Sequence, residues 1–240
     1  MPRAETSCAA YTEVLSCSDG KLSDPAASQT CTPYDALFSG VSLLMHMDNN
    51  VTDVKGSAVV NQGLAFSSAV SKFGGYSVYA PAGGNRARVP SASMVSGTQD
   101  FTIEGWVYPT AYPGNYGQLI TSTSTGGFAT SITSTGKIWV GRALMAGVME
   151  TTGTVPRNQW SHVAYVRSGS NFKVFINGAV AGNFTLGFSD WGSGDAFLFV
   201  DGNGSTFPLQ NVYLDDLRIS KGVVRYTGAF QVPTAPFPNE

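Results

Sequence analysis

The chain has 240 residues, a formal net charge of −2 and 12% charged residues, about half the usual ~25%. Gly accounts for 28 residues and Glu for only five, which excludes a coiled coil or helical bundle; the 42% hydrophobic content excludes disorder. With no basic patch and no apolar run of about 18 residues, nucleic-acid binding and membrane insertion are not expected.

Residues 1–40 differ from the rest. They hold all three cysteines, Cys8, Cys17 and Cys31, with scattered Pro, Ser and Thr and little periodicity. They read as an extended arm with one helical turn over Tyr11–Leu15. The opening MPRAETSCAAYTEVLSCSDG lacks the apolar stretch of a secretory signal. An extracellular type of composition without an export signal fits a virion protein made in a host cytoplasm, or a chain trimmed of its signal.

From Val41 onward short apolar runs alternate with Gly, Asn and Ser-Gly turns, the pattern of a sandwich or barrel. Val41–Met47 reads as a strand buried on both faces. Tyr76–Ala80 and Ala87–Val89 flank Gly83-Gly84-Asn85 and read as a hairpin. Phe101–Tyr108 alternates, with Phe101, Ile103, Gly105 and Val107 on one face and Thr102, Glu104, Trp106 and Tyr108 on the other. Gln118–Ser122, Phe128–Ile132 and Lys137–Val140 form a meander. Trp160–Arg167 and Phe172–Ile176 form a hairpin that leads through Asn177-Gly178 into Ala179–Phe184. Phe197–Val200 and Tyr213–Ile219 complete the strands. The Pro-rich 232–240 tail can only run along a surface. The organisation expected is an arm (1–40), a β-sandwich (41–231) and a tail (232–240), with no repeat of solenoid length.

The cysteines lack CxxC pairs, and the two histidines, His46 and His162, complete no zinc pattern. Free thiols, one internal bridge plus one bond between subunits, and three bonds between subunits all remain open.

Three segments carry a family resemblance: DFTIEGWVYP at 100–109, NQWSHVAYVRSGSNFKVFINGAVAG at 158–182 and VYLDDLRISKGVVRYTGAFQVPTAPF at 212–237. With SLLMHMDNN at 42–50 and KFGGYSV at 72–78, they resemble laminin-G-like, concanavalin-A-like jelly rolls. The resemblance implies an all-β fold of two antiparallel sheets over residues 41–237. The third segment is similar to versions of this domain in tail-fibre and other virion proteins of bacteriophages. It therefore implies a non-enzymatic structural protein on a phage-like particle: a decoration, collar or fibre component. Such a protein would be anchored by its arm through Cys8, Cys17 and Cys31 or by strand addition. Its partners would be other virion proteins and further copies of the chain, as a dimer or trimer.

The family often carries a structural calcium, and its acidic positions resemble Asp48 and Asp215, with Asp53 as a further candidate ligand. On strict alternation Asp215 shares the core face with Leu217 and Ile219, where a carboxylate demands a partner. Asp216 and Arg218 read as a surface pair. A second reading is a calcium-dependent adhesion module for a host-surface glycan. Its candidate residues lie in three loops: Tyr112, Asn115 and Tyr116; Asp190 and Trp191; Asp201 and Asn203. Glycoside hydrolysis, the third reading, needs two carboxylates across a cleft. Glu104 and Glu150 each lack an acidic neighbour, and His162 lacks a nearby Ser or Cys nucleophile, so no enzyme activity is expected.

Overall fold

A computed structural model describes residues 17–18, 21–22, 34–145, 149–186, 191–204 and 206–240. Cys8, Cys31 and Tyr11–Leu15 lie outside the described residues. Two short strands, β1 (Cys17–Ser18) and β2 (Lys21–Leu22), pair with each other. The others are β3 (Val41–Met45), β4 (Val60–Gln62), β5 (Ala65–Ser67), β6 (Ser77–Tyr79), β7 (Arg86–Val89), β8 (Phe101–Pro109), β9 (Tyr116–Ser122), β10 (Phe128–Thr133), β11 (Lys137–Arg142), β12 (Met149–Thr154), β13 (Ser161–Ser168), β14 (Asn171–Ile176), β15 (Ala179–Thr185), β16 (Ala196–Leu198) and β17 (Val212–Lys221).

They build two antiparallel sheets. The 7-stranded sheet runs β12-β11-β10-β9-β16-β7-β4. The 8-stranded sheet runs β15-β14-β13-β8-β17-β6-β5, with β3 also on β17. β3 and β6 share one edge of β17: β3 takes Leu217–Ser220 and β6 takes Tyr213 and Leu214. The expected jelly-roll sandwich is therefore observed.

Large rings fill the gap between the sheets, as stacked sheets about 10 Å apart require. Trp191 sits 5.3 Å from Phe128, 6.0 Å from Phe172 and 6.1 Å from Phe101, all nearly inaccessible. Trp160, just before β13, lies on the other side of its sheet: it leans on Tyr108 and donates from Nε1 to the Ser71 carbonyl at 3.1 Å.

Two local expectations change. Tyr76–Ala80 and Ala87–Val89 are not a hairpin, because β6 joins β17 and β5 while β7 joins β16 and β4. The chain crosses between sheets at Pro81, which has no N–H for a ladder, and Asn85 accepts the Ala82 N–H at 2.8 Å to shape the crossing. The second change is in β17. Its register with β8 slips between Asp215 and Arg218, and Asp216 takes φ 48°. One extra residue inverts the alternation. Val212, Leu214, Leu217 and Ile219 face the core, while Asp215 falls opposite Trp106, on the outer side.

That outer side is sealed. β8, β13 and β17 are buried along almost their whole lengths. The segment from Val223 to the C-terminal residues crosses them. Val224, Tyr226 and Phe230 pack on Ala164, Val166 and Phe175, and Phe237 packs with Val41 and Leu44. Tyr226 stacks on Phe230 at 3.5 Å, and Phe230 N donates to the Gly178 carbonyl at 3.0 Å. The Asn177-Gly178 turn needs positive φ at both residues (50° and 76°), as its sequence allows.

Beneath this cover lies a charged network. Glu104, fully buried, accepts Arg218 Nη2 at 2.8 Å and Nε at 3.0 Å, and Tyr226 Oη at 2.7 Å. His162 Nε2 stands 3.2 Å from Glu104 Oε2. Asp35 accepts Arg218 at 3.0 Å and Arg225 at 2.8 Å, tying residues 34–40 to the same face. Asp216, also fully buried, accepts the Phe237 N–H at 2.8 Å and pairs with His46 at 2.7 Å. Asp216 and Arg218 are thus not a solvated surface pair; the bulge sends them to different buried partners.

Burial alone would raise the Glu104 carboxyl, but Arg218, His162 and Tyr226 outweigh it and hold it at about 2. A depressed carboxylate contributes stability above its ordinary 4.5 that is lost as pH falls through about 2. Glu104→Ala leaves Arg218 buried without its main partner. It should lower unfolding free energy by about 3–5 kcal/mol in urea denaturation at pH 7; a loss below about 1 kcal/mol would contradict this burial.

Candidate functional site

On the 7-stranded sheet, alternation along β10 and β11 sends Phe128, Ile132, Ile138 and Val140 into the core. Ala129, Ser131 and Trp139 therefore face outward. With Tyr116, Gln118 and Thr121 of β9 they floor a cleft of about 430 Å³, within the ~300–1,000 Å³ of small-ligand sites. Its walls come from Arg142–Met145 and from the 201–207 loop. Tyr116 and Trp139 form a tilted pair, with centroids 6.0 Å apart and planes at 59°. Glu150 of β12 lies beside them: Tyr116 Oη donates to it at 3.4 Å, and Lys137 stands 3.9 Å away. Such a surface offers ring faces for stacking and polar groups for hydroxyls.

Asp201 shapes the wall. It is 5% exposed, its Oδ1 accepts the Thr206 N–H at 2.9 Å and its Oδ2 accepts the Thr206 hydroxyl. Asn203 donates to Asp201 at 3.5 Å and also lines the cleft. Of the glycan candidates, Tyr116, Asp201 and Asn203 meet here. Tyr112 does not: its hydroxyl donates to the Val155 carbonyl at 2.7 Å, fastening two loops. Asn115 is exposed in the β8–β9 loop, away from the cleft lining. Asp190 lies outside the described residues. Trp191 is 1% exposed in the core and can stack on no ligand. Its loop context suggested exposure, but a bridge to Gly97 turns it inward.

Sequence reasoning missed Trp139, Gln118, Ser131 and Phe207. Trp139 had a legible signal: flanked by Ile138 and Val140, it takes the opposite face, where a large ring has no core to fill.

The acidic candidates lie elsewhere. Asp215 Oδ2 accepts the N–H groups of Lys72 and Phe73 at 2.7 and 3.2 Å, while its Oδ1 is buried without a partner. Asp48 Oδ1 is likewise buried and unpartnered. Its carboxylate occupies the space a β-carbon on Gly74 would fill, so only glycine (φ 56°) fits there. Burial pushes the Asp215 carboxyl up to about 7; the Lys72 and Phe73 N–H groups oppose the rise, and Asp216 and Asp48 add to it. Two buried carboxylate oxygens without donors suit a hard cation, which would take carboxylates with backbone carbonyls and water. Among the described residues no group of three His, Cys, Asp or Glu side chains could hold a metal ion. Asp53 does not join the pair. Its Oδ1 accepts from Leu44 and Lys55 at 2.8 and 3.1 Å and its Oδ2 from Ser57 at 2.9 Å, so it ties its own loop to β3.

Residues 81–225 match the family described as the Concanavalin A-like lectin/glucanases superfamily, and the chain belongs to it. No curated protein matches in sequence. Domain 4 of AbnA, an extracellular arabinanase from Geobacillus stearothermophilus in complex with arabinotriose, is similar in structure (TM-score 0.59, 20% identity, 77% of this chain and 93% of that one). So is the binding domain of Paraclostridial mosquitocidal protein 1 (TM-score 0.61, 15% identity, 81% and 50%). Trypanosoma rangeli sialidase gives a TM-score of 0.57 at 14% identity, over 82% of this chain and 32% of that one. The chain thus spans about half of the mosquitocidal domain and a third of the sialidase. The fold is shared by binding domains and by glycosidases.

Core placement of Trp191 separates it from Trp139. Trp191→Ala should cost about 3–5 kcal/mol of unfolding free energy, and Trp139→Ala less than about 1 kcal/mol. Chemical denaturation of the two variants checks this, and equal losses would contradict the placement.

Proposed function

We propose that the chain is a carbohydrate-binding module whose ligand lies in the cleft on the 7-stranded sheet. One observation carries the reading: the Tyr116–Trp139 ring pair floors a cleft of about 430 Å³ beside Gln118, Ser131, Arg142 and Asn203. The arabinotriose held by AbnA domain 4 supports it as an analogy of fold. Binding without hydrolysis is the reading favoured. Glycosidases place two carboxylates about 5–10 Å apart across the scissile bond. Here Glu104 is locked to Arg218 on the covered outer face of the opposite sheet, and Asp201 is bound through both oxygens to Thr206. That leaves Glu150 beside Tyr116.

Trp139→Ala should weaken oligosaccharide binding about 30-fold, the usual loss of ~2 kcal/mol on truncating an aromatic anchor. Titration calorimetry against arabinotriose and a panel of oligosaccharides measures it. Unchanged affinity for every sugar bound would remove the cleft from consideration.

Two further elements belong to the same reading. Calcium between Asp48 and Asp215 would neutralise their orphan oxygens and fix the 72–75 segment; the two unpartnered oxygens support it. A phage-like particle as the carrier is supported by the resemblance of the 212–237 segment. Residues 34–40 also lie on the sheet opposite the cleft, so an anchor through the arm leaves the cleft facing outward. Virion proteins and further copies of the chain would be the partners.

Native mass spectra with and without chelator and reductant test both. The expected result is a chelator-sensitive mass increase of one calcium, lost in Asp48→Ala and Asp215→Ala, on an oligomer that reductant dissociates. A calcium-free spectrum would overturn the metal, and a monomer indifferent to reductant would overturn disulfide anchoring through Cys8, Cys17 and Cys31.

A further inference from the structure

Ser131 stands out in the cleft floor. Its residue is fully buried, it lines the cleft, and its hydroxyl has no hydrogen-bond partner. The neighbouring Thr130, on the core side, is satisfied through the Trp139 carbonyl and Tyr165, both at 3.0 Å. A buried hydroxyl without a partner costs free energy that an acceptor on a ligand recovers.

Its surroundings narrow the acceptor. Ala129, on the same face of β10, and Ala143 are 1% and 2% exposed and line the cleft with methyl groups. Gln118 is paired across the strands with Ser131. Its Oε1 already accepts the Thr121 hydroxyl at 2.6 Å, so its amide nitrogen is the end that remains as a donor. Two donors therefore flank a small apolar wall. The mouth is apolar as well: Leu144, Met145 and Phe207 are 50%, 43% and 45% exposed. Leu144 and Phe207 hold positive φ values of 58° and 49°, which bulky residues rarely adopt. Plain sugar hydroxyls satisfy the donors but leave the methyl wall and the apolar mouth without a counterpart. A purely apolar ligand leaves Ser131 unpaired.

We propose that the cleft selects saccharides carrying an acetyl group. The acetyl carbonyl oxygen accepts from Ser131 and Gln118, its methyl packs on Ala129 and Ala143, and the ring stacks on Trp139 and Tyr116. The proposal rests on the cleft being a sugar site. An acetamido sugar and an O-acetylated sugar present the same chemistry.

Two matched pairs separate these sources by titration calorimetry of the full chain: tri-N-acetylchitotriose against cellotriose, and O-acetylated xylotriose against xylotriose. At least one acetylated member should bind about tenfold or more tightly than its partner, the range a small apolar group earns in a fitted pocket. The pair that shows the preference identifies the linkage. Ser131→Ala should keep or raise the thermal midpoint, since it removes an unpaired hydroxyl, and should cut the acetyl preference about fivefold. Equal affinities within both pairs would overturn the acetyl selectivity and leave the sugar site standing. An unchanged preference in Ser131→Ala would overturn the role of Ser131. No binding by any of the four, or by any other oligosaccharide, would overturn the sugar site itself.

Discussion

Glu104 lies in the central strand of the 8-stranded sheet with none of its surface exposed. A buried carboxylate is tolerated only when cations and donors surround it. Arg218 supplies the charge, Tyr226 donates a hydroxyl, and His162 stands alongside. Arg218 also reaches Asp35, and Asp35 reaches Arg225. One acidic residue in β8 therefore recruits β17, the chain beyond it and residues 34–40 into a single cover. Once this cover is in place the 8-stranded sheet has no open outer face in its centre.

The sandwich has two outer faces, and the charged network with its aromatic overlay closes one of them. The other carries the outward residues of β9, β10 and β11 in a cleft. On the proposed reading, stability and recognition fall on opposite sheets, and the loops around the cleft can vary without disturbing the buried ion pairs.

Much of this was legible in the residues. The β9–β10–β11 meander and the hairpin ending at Asn177-Gly178 follow from period-two patterning and turn chemistry, both local. The failures are non-local. Strict alternation puts Asp215 on the core face, and only the bulge at Asp216 shows otherwise. The Gly83-Gly84-Asn85 segment has hairpin chemistry, yet its flanking strands find better partners in different sheets. Trp191 sits among loop residues but is claimed by the rings of Phe101, Phe128 and Phe172. Trp139 was within reach, because its neighbours Ile138 and Val140 define the core face. The contacts that shape the 201–207 wall, from the Thr206 N–H to Asp201 at 2.9 Å and from Asn203 to Asp201 at 3.5 Å, depend by contrast on the folded positions of these residues. Asp48 and Asp215 were singled out as calcium positions by resemblance alone; that each keeps a buried oxygen without a hydrogen-bond partner is visible only in the folded chain.

Hydrogen–deuterium exchange of the full chain, with and without a bound oligosaccharide, tests the division between the faces most directly. The account predicts that β8, β13 and β17 exchange slowest in the free protein, since both of their faces are covered. Ligand should add protection over residues 116–121, 129–142 and 201–207 and leave the 8-stranded sheet unchanged. Ligand-induced protection on β13, β14 or the 223–240 segment, with none on β9–β11, would contradict it.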